Sequence, residues 1–164
     1  MYILFIILHT VAGLLAFGFG CAVIRPPADV HGVRFRVYLG SLVALVVFLV
    51  AAIGSHWPEL ATTPRVIYVA LTGLGLFMVW RAWRARTAPV QDERYVEHVG
   101  FTLIALFDGF VIVSAIDLDA PVWLVLVIAV AGILVGRWAI DRVKASVRVA
   151  TAGAGSRAGA DRYG

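Results

Sequence analysis

Five long apolar stretches constrain the fold of this chain more than any other feature. Each has roughly 18–23 residues, enough for a helix to cross a hydrocarbon core about 30 Å thick. The stretches lie at about 2–24, 37–57, 65–83, 98–116 and 122–140. With 62% hydrophobic and 15% charged residues, the chain has more apolar surface than the core of a water-soluble protein buries. The sequence therefore predicts an all-α membrane protein, built as a bundle of five transmembrane helices.

Basic residues are spread unevenly between the connections, and their distribution predicts how the helices are oriented. Thirteen of the 14 Lys and Arg residues lie in segments that end or follow the first, third and fifth stretches, and Arg65 is the exception. Because positively charged segments stay in the cytoplasm, we predict an N-terminus outside, five crossings of the cytoplasmic membrane and a C-terminus inside. The same arginines lie where the anionic headgroups of the bilayer are. The net charge of +4 therefore reflects membrane topology and does not indicate nucleic-acid binding.

The chain has room for a single domain. We assign residues 1–149 to the five-helix transmembrane domain. Charged residues recur on one face at the end of the fifth stretch and beyond it, at Arg137, Asp141, Lys144 and Arg148. This pattern predicts that the fifth helix continues into the inner headgroup region. Residues 150–164 are mostly Gly, Ala, Ser and Arg, so we predict a short disordered cytoplasmic tail there.

Asp108 and His9 are the strongest candidates for functional residues within the membrane. Asp108 lies midway along the fourth stretch, where a carboxyl group costs several kcal/mol unless it is protonated or paired. His9 belongs to a stripe of small residues typical of close helix contacts, namely Ala12, Gly13, Ala16 and Gly20. Counted from the outer surface, the depths of the two residues agree within roughly 3 Å. One hypothesis is an intramembrane His9–Asp108 pair; the other is that Asp108 only forms a structural hydrogen bond to a neighbouring helix.

The remaining histidines raise the question of a cofactor. His31 and His98 lie at the inner boundary and would have to face each other to hold a b-type haem. His56 lies at the outer surface, about 10 Å above His9, so these two are mismatched in depth. The sequence has no phosphate-binding loop, dinucleotide fingerprint, CxxC or HExxH motif. We therefore expect no metal and no cofactor, with haem b at His31 and His98 as the alternative.

Several of these residues resemble those of a group of functionally uncharacterised bacterial multi-pass integral membrane proteins. The resemblance covers about residues 5–105 and rests on these positions: His9, Ala12, Gly13, His31, Arg34, Arg36, Tyr38, Trp80, Arg81, Trp83, Arg84 and His98. Members of that group have a histidine in the first helix and are loosely likened to b-type cytochrome membrane subunits. The resemblance implies an integral membrane protein and, more distantly, haem. Asp108 and the acidic turn at 117–119 depart from the group's pattern.

These features favour a small, non-enzymatic membrane protein that acts as an accessory or interaction subunit. Its soluble segments are too short for a catalytic domain, and its expected partners are the lipid bilayer and another membrane protein or a second copy. Two alternatives stay open. The first is a haem- or quinone-associated electron-transfer protein that uses His31 and His98. The second is a proton-coupled small-solute carrier built on Asp108 and His9, although the duplicated halves usual in carriers are not visible.

Overall fold

The chain folds into helices throughout its described length. A computed structural model describes residues 2–24, 32–59, 62–87, 93–118 and 121–160, and these contain no strand. The helices are α1 (Tyr2–Val23), α2 (Val33–His56), α3 (Thr62–Ala85), α4 (Glu93–Asp117) and α5 (Val122–Ala160). A single 3-10 turn, Trp57–Glu59, follows α2. The all-helical architecture predicted from the sequence is confirmed for these residues.

Within the described residues, four helices are long and apolar enough to cross a membrane. Their apolar segments are Ile3–Val23, Val33–His56, Arg65–Ala85 and Glu93–Ser114. Helix α5 is the longest, with 39 residues, but it is less apolar because charged residues follow its first half. The first four helices are therefore suited to span a bilayer, whereas a fifth crossing and the orientation of the chain remain predictions.

Four helix boundaries differ from the apolar stretches by three residues or more. Helix α3 begins three residues earlier, at Thr62, because Pro64 is favoured in the first turn of a helix. Helices α2 and α4 begin about one turn earlier, at Val33 and Glu93, because their first turns are charged and hydropathy marks only the part that lipid solvates. Helix α5 continues through residues 151–160, where the sequence predicted a disordered tail. The four alanines of residues 151–160 favour a helix, whereas the three glycines of the same segment oppose it. Residues 161–164 lie outside the described residues.

The first four helices close into a ring. Helix α1 packs against α2 and α4, and α3 packs against the same two helices. Short connections place consecutive helices side by side and antiparallel. Helix α5 has its main contact with α4, so it lies on the outside of the ring.

The best-packed part of the core lies where α1 ends, α2 begins, α3 ends and α4 begins. We call this the basic end of the bundle, because Arg34, Arg36, Arg81, Arg84 and Arg94 flank it. Its fully buried side chains include Phe35, Tyr38, Leu42, Tyr95, Val96, Val99 and Thr102. The buried polar groups here are paired. Tyr38 and Thr102 share a hydrogen bond, and the Tyr95 hydroxyl donates to the carbonyl of Val23 at 2.8 Å.

The outward faces of all five helices carry large exposed hydrophobic side chains. They include Leu14 on α1, Val47 on α2, Leu76 on α3, Phe110 on α4 and Leu134 on α5. Water does not solvate contiguous apolar surfaces of this extent favourably, but lipid chains do. The surface of the bundle is thus the kind that a bilayer stabilises.

Candidate functional site

His9 is held against the neighbouring helix α2. Its Nδ1 atom lies 2.9 Å from the carbonyl oxygen of Leu45, and the ring is half-buried. Because a carbonyl oxygen only accepts, Nδ1 must carry a proton, and in the neutral imidazole Nε2 then has a free lone pair. On the same face, Ala12 and Ala16 are buried. The small-residue stripe therefore brings α1 close to α2 and leaves His9 able to accept one further hydrogen bond.

Asp108 faces α5. Its Oδ1 atom is buried and has no hydrogen-bond partner among the described residues. The nearest feature of α5 is Gly132, where an added Cβ would overlap Asp108 Oδ1. The carboxyl group therefore occupies space that exists because residue 132 has no side chain.

The contact between Asp108 and Gly132 is one layer of a regular seam between α4 and α5. In the next two layers Gly136 packs against Ile104 and Gly100 packs against Ile140. A Cβ added at Gly100 would lie 2.6 Å from Ile140 Cγ1. The layers repeat every four residues on both helices in opposite directions, which is the arrangement expected of antiparallel helices joined by small residues. The Gly132-xxx-Gly136 motif thus packs within the bundle.

His9 and Asp108 point to different neighbours. His9 contacts α2, Asp108 contacts α5, and no hydrogen bond joins the two side chains. One contact of α1 with α4 lies nearer the basic end, where an added Cβ on Gly20 would be 2.7 Å from Leu103 Cδ2. The matched depth inferred from the sequence does not by itself give contact, because it says nothing about which way each side chain faces.

His98 belongs to a polar network at the basic end. The Arg81 Nε atom donates to His98 Nδ1 at 3.2 Å, and Arg81 Nη2 donates to the carbonyl of Glu97 at 3.4 Å. Glu97 in turn forms an ion pair with Lys144 of α5. The sequence reasoning missed this network, because it assigned the flanking charges to membrane orientation alone.

The orientation of His98 bears on the haem alternative. Because a guanidinium group only donates, His98 Nδ1 must accept and its proton must be on Nε2. A histidine that ligates iron through Nε2 needs the opposite arrangement, with Nδ1–H donating to a carbonyl or carboxylate. The other proposed ligand, His31, lies outside the described residues. The hydrogen bond that His98 Nδ1 accepts from Arg81 therefore does not fit the arrangement of a haem ligand.

No cluster of three or more His, Cys, Asp or Glu side chains occurs among the described residues in an arrangement that would hold a metal ion. The polar side chains of the bundle instead bond to backbone carbonyls, to one another or, for Asp108, to nothing described.

Comparisons with known proteins add no relative. No family model, no curated protein and no solved structure matches this chain. Function is therefore inferred from the residues and their contacts.

Proposed function

We propose that this protein is a multi-pass protein of the cytoplasmic membrane that crosses the bilayer five times, with its N-terminus outside. Four helices of suitable length and the exposed apolar faces support this. For the fifth crossing, residues 122–136 carry no charge, and the side chain of Arg137 is long enough to reach the headgroups from the end of that segment. Helix α5 also runs antiparallel to α4, which is itself suited to cross.

Reporter fusions test this topology directly. Fusions after Arg86 and at the C-terminus should behave as cytoplasmic, and fusions near Leu60 and Asp119 as external, because basic segments are retained inside. Arg65, the one basic residue on the other side, is fixed against Trp57, whose carbonyl accepts from Arg65 Nη2 at 3.2 Å. A cytoplasmic signal at Asp119 would rule out the five-span arrangement.

The proposed role is that of an accessory or interaction subunit and not of an enzyme. The observation that carries it is the engagement of the internal polar side chains. Tyr38, Tyr95 and His9 each bond to a neighbouring helix. Groups used in this way fasten neighbouring helices together. Helix α5 rests mainly on α4, and its other sides expose apolar residues to lipid or to a partner.

Site-specific photo-cross-linking tests the interaction role. A photoreactive residue at Leu134, on the exposed side of α5, should give a discrete product with another membrane protein or with a second copy. The matched control is Leu76 on α3, since the two side chains are 63% and 58% exposed. The same products from both positions, or none from Leu134, would contradict a specific partner on α5.

A proton-coupled carrier is the second candidate, and one observation favours it. Asp108 has a buried oxygen without a partner, and ionisable groups in that state inside membranes commonly mark transport pathways. Purified protein in liposomes containing a pH-sensitive dye should then show solute-dependent proton uptake that Asp108→Asn abolishes. Equal uptake by the two proteins would remove this candidate.

A further inference from the structure

A cleft of about 290 Å³ lies between α3, α4 and α5 at the basic end. Its cationic side chains are Arg81, Arg137 and Lys144, and its acidic ones are Glu97 and Asp141. Glu97 is already neutralised by its ion pair with Lys144. The remaining groups carry an excess of one positive charge, so the cleft favours an anion.

Arg81 is held ready to bind such an anion. Its guanidinium lies 4.7 Å from the ring centroid of Phe101, and it donates to His98 and to the Glu97 carbonyl. These two bonds use two of the five N–H groups of arginine, which leaves three for a ligand. A planar guanidinium fixed in this way can bind a phosphate through two parallel hydrogen bonds with little further loss of freedom.

The depth of the cleft matches a headgroup layer. Arg84 stacks over Trp80 on α3 at 5.2 Å, and Arg142 stacks over Trp138 on α5 at 4.7 Å. Both tryptophans are exposed. Exposed Trp and Arg side chains typically anchor helices at the boundary between hydrocarbon and headgroups. Arg81 of the cleft lies between Trp80 and Arg84 on α3, and Asp141 lies between Trp138 and Arg142 on α5. The charged groups of the cleft are therefore at that boundary.

We propose that this cleft binds the phosphate group of an anionic phospholipid. The polar part of the cleft offers Arg81 and Arg137, and its other wall is apolar, formed by Phe101, Ile104 and Ile140. A free phosphate ion gains nothing from an apolar wall, whereas a lipid places its glycerol and upper acyl chain there. The proposal requires only that the basic end meets a bilayer surface, so it does not depend on the accessory role or on which side is cytoplasmic.

Native mass spectrometry of the full-length protein, released from a neutral detergent, tests the proposal. Dioleoyl phosphatidylglycerol and dioleoyl phosphatidylcholine have the same acyl chains and differ in net headgroup charge. We expect wild-type protein to retain phosphatidylglycerol preferentially. Arg81→Gln and Arg137→Gln should each weaken this binding about fivefold, because each removes one charged contact with the bound phosphate.

Arg84→Gln is the matched control, because Arg84 is on α3 close to Arg81 but does not line the cleft. It should bind phosphatidylglycerol like the wild type. Arg137 is exposed and forms no described hydrogen bond, so Arg137→Gln tests the site even where Arg81→Gln disturbs folding. Equal retention of the two lipids, or equal loss in Arg84→Gln and Arg137→Gln, would overturn the proposal. Displacement of phosphatidylglycerol by millimolar inorganic phosphate would also overturn it, since the site would then bind the free anion.

Discussion

The seam between α4 and α5 makes Gly136→Ala the most informative single substitution. A Cβ at residue 136 would overlap Ile104 Cγ1 and would lie 2.6 Å from Cδ1 and 3.3 Å from Cγ2 of the same side chain. Because Cγ1 and Cγ2 both branch from Cβ, Ile104 cannot clear the space without leaving its rotamer. Either that rotamer or the distance between the helices must change.

The magnitude follows from two opposing effects. Inserting a methyl group into a tightly packed contact costs about 1–3 kcal/mol. Replacing Gly by Ala within a helix gains about 0.5–1 kcal/mol through the unfolded chain. Gly73→Ala on α3 is the matched control, since a Cβ there meets nothing within 4 Å. It should show only the gain, so Gly136→Ala should be less stable than Gly73→Ala by about 1–3 kcal/mol.

Reversible unfolding in mixed micelles of dodecyl maltoside and sodium dodecyl sulfate, followed by helical circular dichroism, measures this difference. A second arm uses the chain with Ile104→Ala. Removal of the atoms that the new Cβ overlaps should make Gly136→Ala neutral or stabilising in that background. Equal stability of Gly136→Ala and Gly73→Ala would refute the close packing of Gly136 against α4. An equal loss of stability from Gly136→Ala in the wild type and in the Ile104→Ala chain would refute the contact with Ile104.

Three further predictions concern the polar residues. Gly132→Ala should lower the free energy of unfolding of the wild type, because the new Cβ overlaps the Asp108 carboxyl group. The same substitution should be tolerated in a chain that also carries Asp108→Ala, and an equal loss of stability in both backgrounds would contradict this contact. His9→Ala should lower the free energy of unfolding in detergent by roughly 0.6 kcal/mol, because the hydrogen bond to α2 is lost. This loss should add to that of Asp108→Ala, whereas strong coupling between the two substitutions would support the hypothesis of a His9–Asp108 pair. Purified protein should show no Soret band, since His98 Nδ1 accepts from Arg81; a stoichiometric band lost in His98→Ala would favour electron transfer.

Sequence alone predicts the helices well, because each is specified by its own residues. Continuous apolar runs of about 20 residues have one stable form in lipid, in which every backbone group bonds within its own helix. Small-residue spacing also marks the faces that approach other helices. Ala12 and Ala16 on α1 are buried, and Gly132 and Gly136 on α5 pack against α4.

Partner and register are the properties that the sequence leaves open. A stripe of small residues shows that some helix packs there but does not identify which one, so His9 is found against α2 and Asp108 against α5. The network of Arg81, His98 and Glu97 was missed for a related reason. Charged residues beside a span have two roles, in orientation and in contacts between helix ends, and only the first is visible in the pattern of charges along the chain.

Helix α5 shows how the fold limits the topologies available to this chain. Four consecutive layers join it to α4: Asp108 with Gly132, Ile104 with Gly136, Gly100 with Ile140, and Glu97 with Lys144. This register fixes the charged part of α5 at the depth of the first turns of α4. If α5 crosses the membrane, its charged part must therefore lie at the basic end, together with Arg81 and His98. The orientations of the five helices are then linked, so that the side of the membrane on which Arg86 lies determines the orientation of every helix.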